Sequence, residues 1–208
     1  MYRLSLPRHR LPYVTSTILH ALLRDSPKPN GVIHTLVQNG TLIRLRRGFF
    51  LIADHPAAQP GSIPFEAIAN LLYGPSYLSL EWILSLEGLI PERAVNPTSI
   101  SVLPKRVIYT PIAAFIYYQL TSPVYPVGVR SREFPAGRAL AASPEKALCD
   151  LVARQLRADN LEEMESLVTE FYRIEPSDLR QLSIDHLRQI ADLYGDRNVT
   201  LLYQLLRR

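Results

Sequence analysis

The most heavily punctuated stretch of the chain runs from Tyr73 to Arg93, YGPSYLSLEWILSLEGLIPER, and it leaves few choices of local structure. Gly74-Pro75 sets a turn, Ser76 and Ser79 each offer a hydroxyl to cap a helix, and Gly88 followed by Pro91 ends one. Between these signals Leu80, Ile83, Leu84 and Leu86 fall at helical spacing, with Glu81, Ser85 and Glu87 on the other side. Taken singly, these residues describe a short capped helix against a core.

What surrounds that helix is bounded by composition. The 208 residues are 47% apolar, the profile of a globular chain with enough material for a core, and no twenty-residue apolar run is present. Arg3, Arg8 and Arg10 have no apolar segment behind them, so neither a signal peptide nor a membrane anchor is expected, and the sequence points to the cytoplasm. The single cysteine, Cys149, has no companion ligands at zinc spacing and reads as an inert buried thiol. The net charge of +4 is unevenly placed: residues 1–54 carry eight Lys/Arg against Asp25 and Asp54, residues 55–150 seven of each sign, and residues 151–208 eight against ten. The positive charge is an N-terminal property, as in a module that meets phosphate.

In the N-terminal region Thr15 or Ser16 caps a helix through Ile18, Leu19, Leu22 and Leu23, which residues 25–29 (DSPKP) break. A second helix over residues 29–38 puts Val32, Ile33, Leu36 and Val37 on one side and Lys28, Gly31, His34, Thr35 and Gln38 on the other. Residues 41–46 then alternate, Gly48 permits a turn, and residues 49–52 return. Helix, break, helix, hairpin is the order of a winged helix-turn-helix. In that fold the second helix enters the major groove: His34, Thr35 and Gln38 face base edges, Gly31 permits close approach, and Lys28, Arg44, Arg46 and Arg47 neutralise phosphates.

Three prolines and Gly61 between residues 54 and 64 mark a linker over residues 55–64, dividing a DNA-binding domain at 1–54 from a larger domain at 65–208. After a helix over residues 65–72 and the punctuated stretch, short β-rich runs are expected at residues 98–103, 107–110, 114–120, 124–129 and 139–142, forming a small, mostly antiparallel sheet. Ser143-Pro144-Glu145 opens a helix to about residue 156, and four further helical segments, at 161–172, 177–182, 184–193 and 199–206, cap the sheet. The fold class is therefore α+β.

Three segments carry a resemblance. GPSYLSLEWILSLEGLIPE at residues 74–92 and AASPEKALCDL at residues 141–151 resemble the two markers of the abortive-infection AbiEi antitoxin family, and VQNGTLIRLRRGFF at residues 37–50 resembles the end of its N-terminal winged helix. They fall in the family's order. The resemblance implies a transcriptional regulator, an autorepressor binding inverted repeats at its own promoter. It also implies the antitoxin of a type IV toxin–antitoxin system, opposing a nucleotidyltransferase-like toxin without a stable complex. It implies no enzymatic activity, no cofactor and no metal. Ahead of the turn the family has more helical sequence, whereas Leu6-Pro7 and Leu11-Pro12-Tyr13 interrupt this chain, so the first helix is expected to be short or absent.

No catalytic constellation can be assembled. His9, His20, His34, His55 and His186 lack metal-ligand spacing, and no phosphate loop or nucleophile elbow is present. Glu81, Glu87, Glu92, Glu145 and Asp150 are better explained by capping and by ion pairs with Arg93 or Lys146. Three alternatives remain: a protein-interaction module built on the helical C-terminal third, a stand-alone regulator with no toxin, and a nucleic-acid-processing enzyme.

Overall fold

The computed structural model describes residues 10–59, 61–121, 123–135 and 137–208. The interruption at Leu6-Pro7, the basic residues Arg3 and Arg8, and His9 lie outside the described residues. The architecture is α+β, built on two sheets.

The N-terminal elements are β1 (Tyr13–Thr15), α1 (Ser16–Leu22), α2 (Pro29–Gln38), β2 (Leu42–Arg46) and β3 (Phe49–Ile52). Thr15 caps α1, its Oγ1 accepting from the Ile18 amide at 3.4 Å. Ahead of α1, residues 13–15 form no helix but a strand, added to β3 in the order β1-β3-β2. The sheet is covered on both sides. Val14, Leu42, Phe50 and Ile52 pack with Leu19, Leu23 and Ile33 of the helical layer, while Leu45, Phe49 and Leu51 join the larger core. That is why all four residues of β3 are buried, each large side chain contributing about 1.5–3 kcal/mol. On α1 the buried positions are Leu19 and, just beyond the helix end, Leu23, whereas Ile18 and Leu22 stay exposed. Gly48 holds the hairpin turn at φ +75° and its carbonyl accepts from the Ser16 amide at 2.9 Å, docking the hairpin tip on the start of α1.

After α3 (Phe65–Leu72) come β4 (Ser76–Leu78), α4 (Leu80–Leu86), β5 (Thr98–Ser101), β6 (Arg106–Tyr109), β7 (Ala114–Gln119), β8 (Val129–Phe134) and β9 (Gly137–Ala142). The sheet order is β6-β7-β5-β4-β9-β8. Antiparallel pairing holds for β6/β7, β5/β4 and β9/β8, while β7/β5 and β4/β9 are parallel. The sheet is thus mixed: alternation within one short strand marks its faces but carries nothing about the direction of a partner distant in sequence.

Several local expectations are corrected. Ser76 opens strand β4 and caps no helix; and although Ser79 occupies the cap position of α4, its hydroxyl makes no capping bond. Thr98 performs that task from the neighbouring strand, its Oγ1 accepting from the Trp82 amide at 3.1 Å and donating to the Ser79 carbonyl at 2.8 Å. The buried side of α4 is Leu80, Trp82, Ile83 and Leu84, and Leu86 is exposed, because Trp82 packs edge-on against Phe65 with ring centroids 5.9 Å apart. The run expected at residues 124–129 is a turn that becomes a strand only at Val129. Pro123 and Pro126 remove two donors and Gly128 takes φ +74°, where a side chain would press on the Cβ of Lys146.

The remaining helices are α5 (Pro144–Val152), α6 (Leu161–Ser166) running into a single π turn (Leu167–Phe171), α7 (Pro176–Leu179), α8 (Ile184–Tyr194) and α9 (Arg197–Leu206). Helix α5 stops short of residue 156, and Asn198 of α9 ties down its last carbonyl and the chain that leaves it: Nδ2 donates to the Val152 carbonyl at 2.9 Å and to the Leu156 carbonyl at 3.1 Å, while Oδ1 accepts from the Ala158 amide at 2.9 Å. Among the described residues, no helix is long and apolar enough to cross a membrane.

Candidate nucleic-acid interface

Helix α2 turns Ile33 inward, with Val32, Leu36 and Val37 packed beside it, which leaves Asn30, Gly31, His34, Thr35 and Gln38 exposed as one stripe. The residues expected at base edges are therefore brought together on a single helix face. The Thr35 hydroxyl donates to the Gly31 carbonyl at 3.0 Å, so toward a ligand it is chiefly an acceptor. Asn30, one turn ahead of His34, completes the row Asn30–His34–Gln38 and is an addition to the residues expected there; its spacing of four from His34 is the signal that marks it. Its Oδ1 is 2.8 Å from His20 Nε2 of α1, so the two helices meet through a polar pair at the start of the stripe.

The basic residues divide. Lys28 and Arg47 are exposed, and Arg44 is exposed over the Phe50 ring, 5.6 Å from its centroid. Arg46 is engaged elsewhere, its guanidinium donating to the Leu71 carbonyl at 3.1 Å and joining the hairpin to α3. Arg44 and Arg46 bracket an irregularity in the β2/β3 register, which separates the directions of the two side chains.

The second concentration of polar groups is buried in the larger core. Lys146 Nζ and Asp150 Oδ1 lie 2.6 Å apart, one turn apart on α5, both side chains without solvent exposure. The Asp150 carboxylate also accepts from Ser79 Oγ at 2.7 Å, Tyr77 OH at 3.0 Å and Tyr194 OH at 3.0 Å, and Lys146 Nζ lies over the Tyr194 ring, 4.8 Å from its centroid. Burial, reinforced by the Asp150 charge, pushes the Tyr77 and Tyr194 hydroxyls well above the usual range, so both remain protonated donors. No family model matches the chain, and no curated protein does. Within the chain itself, the cluster joins residues 74–92 to residues 141–151: Tyr77 and Ser79 come from the first segment, Lys146 and Asp150 from the second.

Of the other carboxylates seen in the sequence, Glu81 keeps one oxygen buried without a hydrogen-bond partner, and the remaining three are held structurally. Glu87 pairs with Arg132, Glu92 with Arg173, and Glu145 Oε1 accepts from the Ser183 amide at 3.0 Å. Among the described residues, no three His, Cys, Asp or Glu side chains are grouped to hold a metal. Cys149 is buried, and desolvation raises its thiol well above the ordinary range.

Glu145 gives a pH prediction. Burial raises its pKa, but hydrogen bonds from Ser183, its own amide and Ser143, with the nearby His186, outweigh burial and leave it lowered. A lowered carboxyl contributes stability above its unfolded pKa and loses it as pH falls through the folded value. Glu145→Gln is therefore expected to cost about 1 kcal/mol at neutral pH and to flatten the loss of stability below roughly pH 5. Urea titrations across that range measure both effects; a cost that persists unchanged into acid contradicts the assignment.

Proposed function

We propose that this chain is a DNA-binding transcriptional regulator in which the N-terminal elements act as a winged helix-turn-helix, α2 reading the major groove and the β2–β3 hairpin serving as the wing. The observation that carries the reading is the exposed polar stripe of α2, next to Lys28 and on the same small fold as Arg44 and Arg47. Charge would hold the duplex and the stripe would choose the site. The resemblance of residues 74–92 and 141–151 to the AbiEi markers extends the proposal: the chain represses its own promoter through inverted repeats and acts as antitoxin against a nucleotidyltransferase-like toxin, without a lasting complex.

A titration of the protein against duplex DNA from its own upstream region, beside a scrambled duplex of the same length, tests this. Specific binding about 1,000-fold tighter than to the scrambled duplex is expected. Equal and weak binding to both refutes site-specific regulation. A second reading, a protein-interaction module, draws on Leu156 and Phe171, which stand 94% and 69% exposed in the C-terminal part.

A further inference from the structure

A cavity of about 480 Å³, the size of a small-molecule site, opens beside α4 and is lined by none of the α2 stripe and none of the Lys146–Asp150 cluster. Its walls come from the segment entering α3, from α3, from α4 and the loop after it, and from the β8–β9 turn, so the concavity is built by packing of the larger fold. Phe65 and Trp82 meet edge to face along it, and Phe134 extends the apolar surface.

The polar groups of this cavity are mostly donors, and they are not used up. Trp82 is only 8% exposed, and its buried indole N–H meets no acceptor. Such a donor carries a desolvation cost that an entering acceptor would remove. Ser85 Oγ accepts from the Ala94 amide at 3.0 Å, which leaves its own proton to donate. Arg93 is exposed, and among the described residues no carboxylate pairs with it. Opposite these three donors stands one carboxyl, that of half-buried Glu66; the indole is near enough to favour its charged form, yet no hydrogen bond closes between them. A cation alone would leave the indole N–H and Arg93 unanswered. An anion alone would be repelled by Glu66. A ligand that carries an accepting group beside a donating one answers both.

We propose that this cavity binds a zwitterionic α-amino acid with a large aromatic side chain: the ring lies against Phe65, Trp82 and Phe134, the carboxylate accepts from the indole N–H and faces Arg93, and the ammonium pairs with Glu66. In an α-amino acid the two charged groups sit on one carbon, which suits an indole N–H and a carboxyl that are neighbours. The walls reward a flat ring through edge and face contacts. The charged members of the lining, one carboxylate and one guanidinium, match a ligand of no net charge.

Trp82 is the single tryptophan of the chain, so its emission reports on this site directly. The full chain would be titrated with L-phenylalanine, with 3-phenylpropionate, which lacks the ammonium, and with 2-phenylethylamine, which lacks the carboxylate. L-phenylalanine should shift Trp82 emission saturably with a dissociation constant of about 1 mM or below, in keeping with its size, and should bind about tenfold tighter than either counterpart. Arg93→Gln should cut its lead over 2-phenylethylamine by about threefold or more, and Glu66→Gln should do the same to its lead over 3-phenylpropionate. Arg93 is exposed and glutamine keeps the shape of Glu66, so neither substitution empties the core. No saturable response to L-phenylalanine, a counterpart that binds as tightly, or a lead that survives its matching substitution overturns the proposal. None of these readouts depends on whether the chain binds DNA.

Discussion

Lys146→Met should lower the free energy of unfolding by about 3–5 kcal/mol. The ammonium and the Asp150 carboxylate are 2.6 Å apart with neither side chain exposed, so the substitution strands a charge where water cannot reach it. Three hydroxyls, from Tyr77, Ser79 and Tyr194, still donate to Asp150, and they set the upper limit on the loss. Replacing both charges, Lys146→Met with Asp150→Leu, removes the stranded carboxylate but orphans those three hydroxyls, each worth about 1–3 kcal/mol when unpaired. The double variant should therefore remain less stable than the natural chain, yet be less destabilised than the sum of the singles by about 1–3 kcal/mol. Urea denaturation of the four proteins gives the cycle. A loss below about 1 kcal/mol for Lys146→Met alone would mean that the pair reaches solvent.

That cluster also shows what the amino-acid sequence discloses and what it withholds. The four-residue spacing of Lys146 and Asp150 on a helix opened by Ser143-Pro144 is readable, and an ion pair involving Lys146 follows from it. Ser79 misleads because a serine ahead of an apolar run is locally a cap, and only the fold supplies Thr98 from another strand to cap α4 and Asp150 to take the Ser79 hydroxyl. Local spacing fixes α2, whose apolar and polar residues separate cleanly, and with it the stripe of Gly31, His34, Thr35 and Gln38. Strand β4 is illegible because three residues buried on every side show no alternation. Arg46 cannot be distinguished from Arg44 by sequence, since the carbonyl it reaches, Leu71, is 25 residues away. The aromatic cavity is invisible for the same reason: Phe65, Trp82 and Phe134 meet only after the sheet has formed.

The division among the arginines yields the second large effect. If the exposed cations neutralise phosphates, changing Lys28, Arg44 and Arg47 together to Ala should reduce the slope of log affinity against log salt by about 3, close to one for each phosphate no longer neutralised. Binding to the native and scrambled duplexes should fall alike, because phosphate carries no sequence information. Arg46→Ala should behave differently: its guanidinium is held by the Leu71 carbonyl, so the expected result is about 1 kcal/mol less stability and little change in salt slope. His34→Ala with Gln38→Ala should do the converse of the triple change, leaving the slope intact while costing about 1–3 kcal/mol of discrimination for each base no longer read. Asn30→Ala belongs with that pair by position on the helix, although its hydrogen bond with His20 adds a structural cost of its own. Equilibrium titrations at several salt concentrations, with folding checked by circular dichroism, separate the three behaviours. If the triple variant keeps its salt slope, another surface holds the phosphates and α2 is not the reading helix. If the slope falls but the stripe variants still discriminate, charge alone brings this face to DNA and the choice of site is made elsewhere.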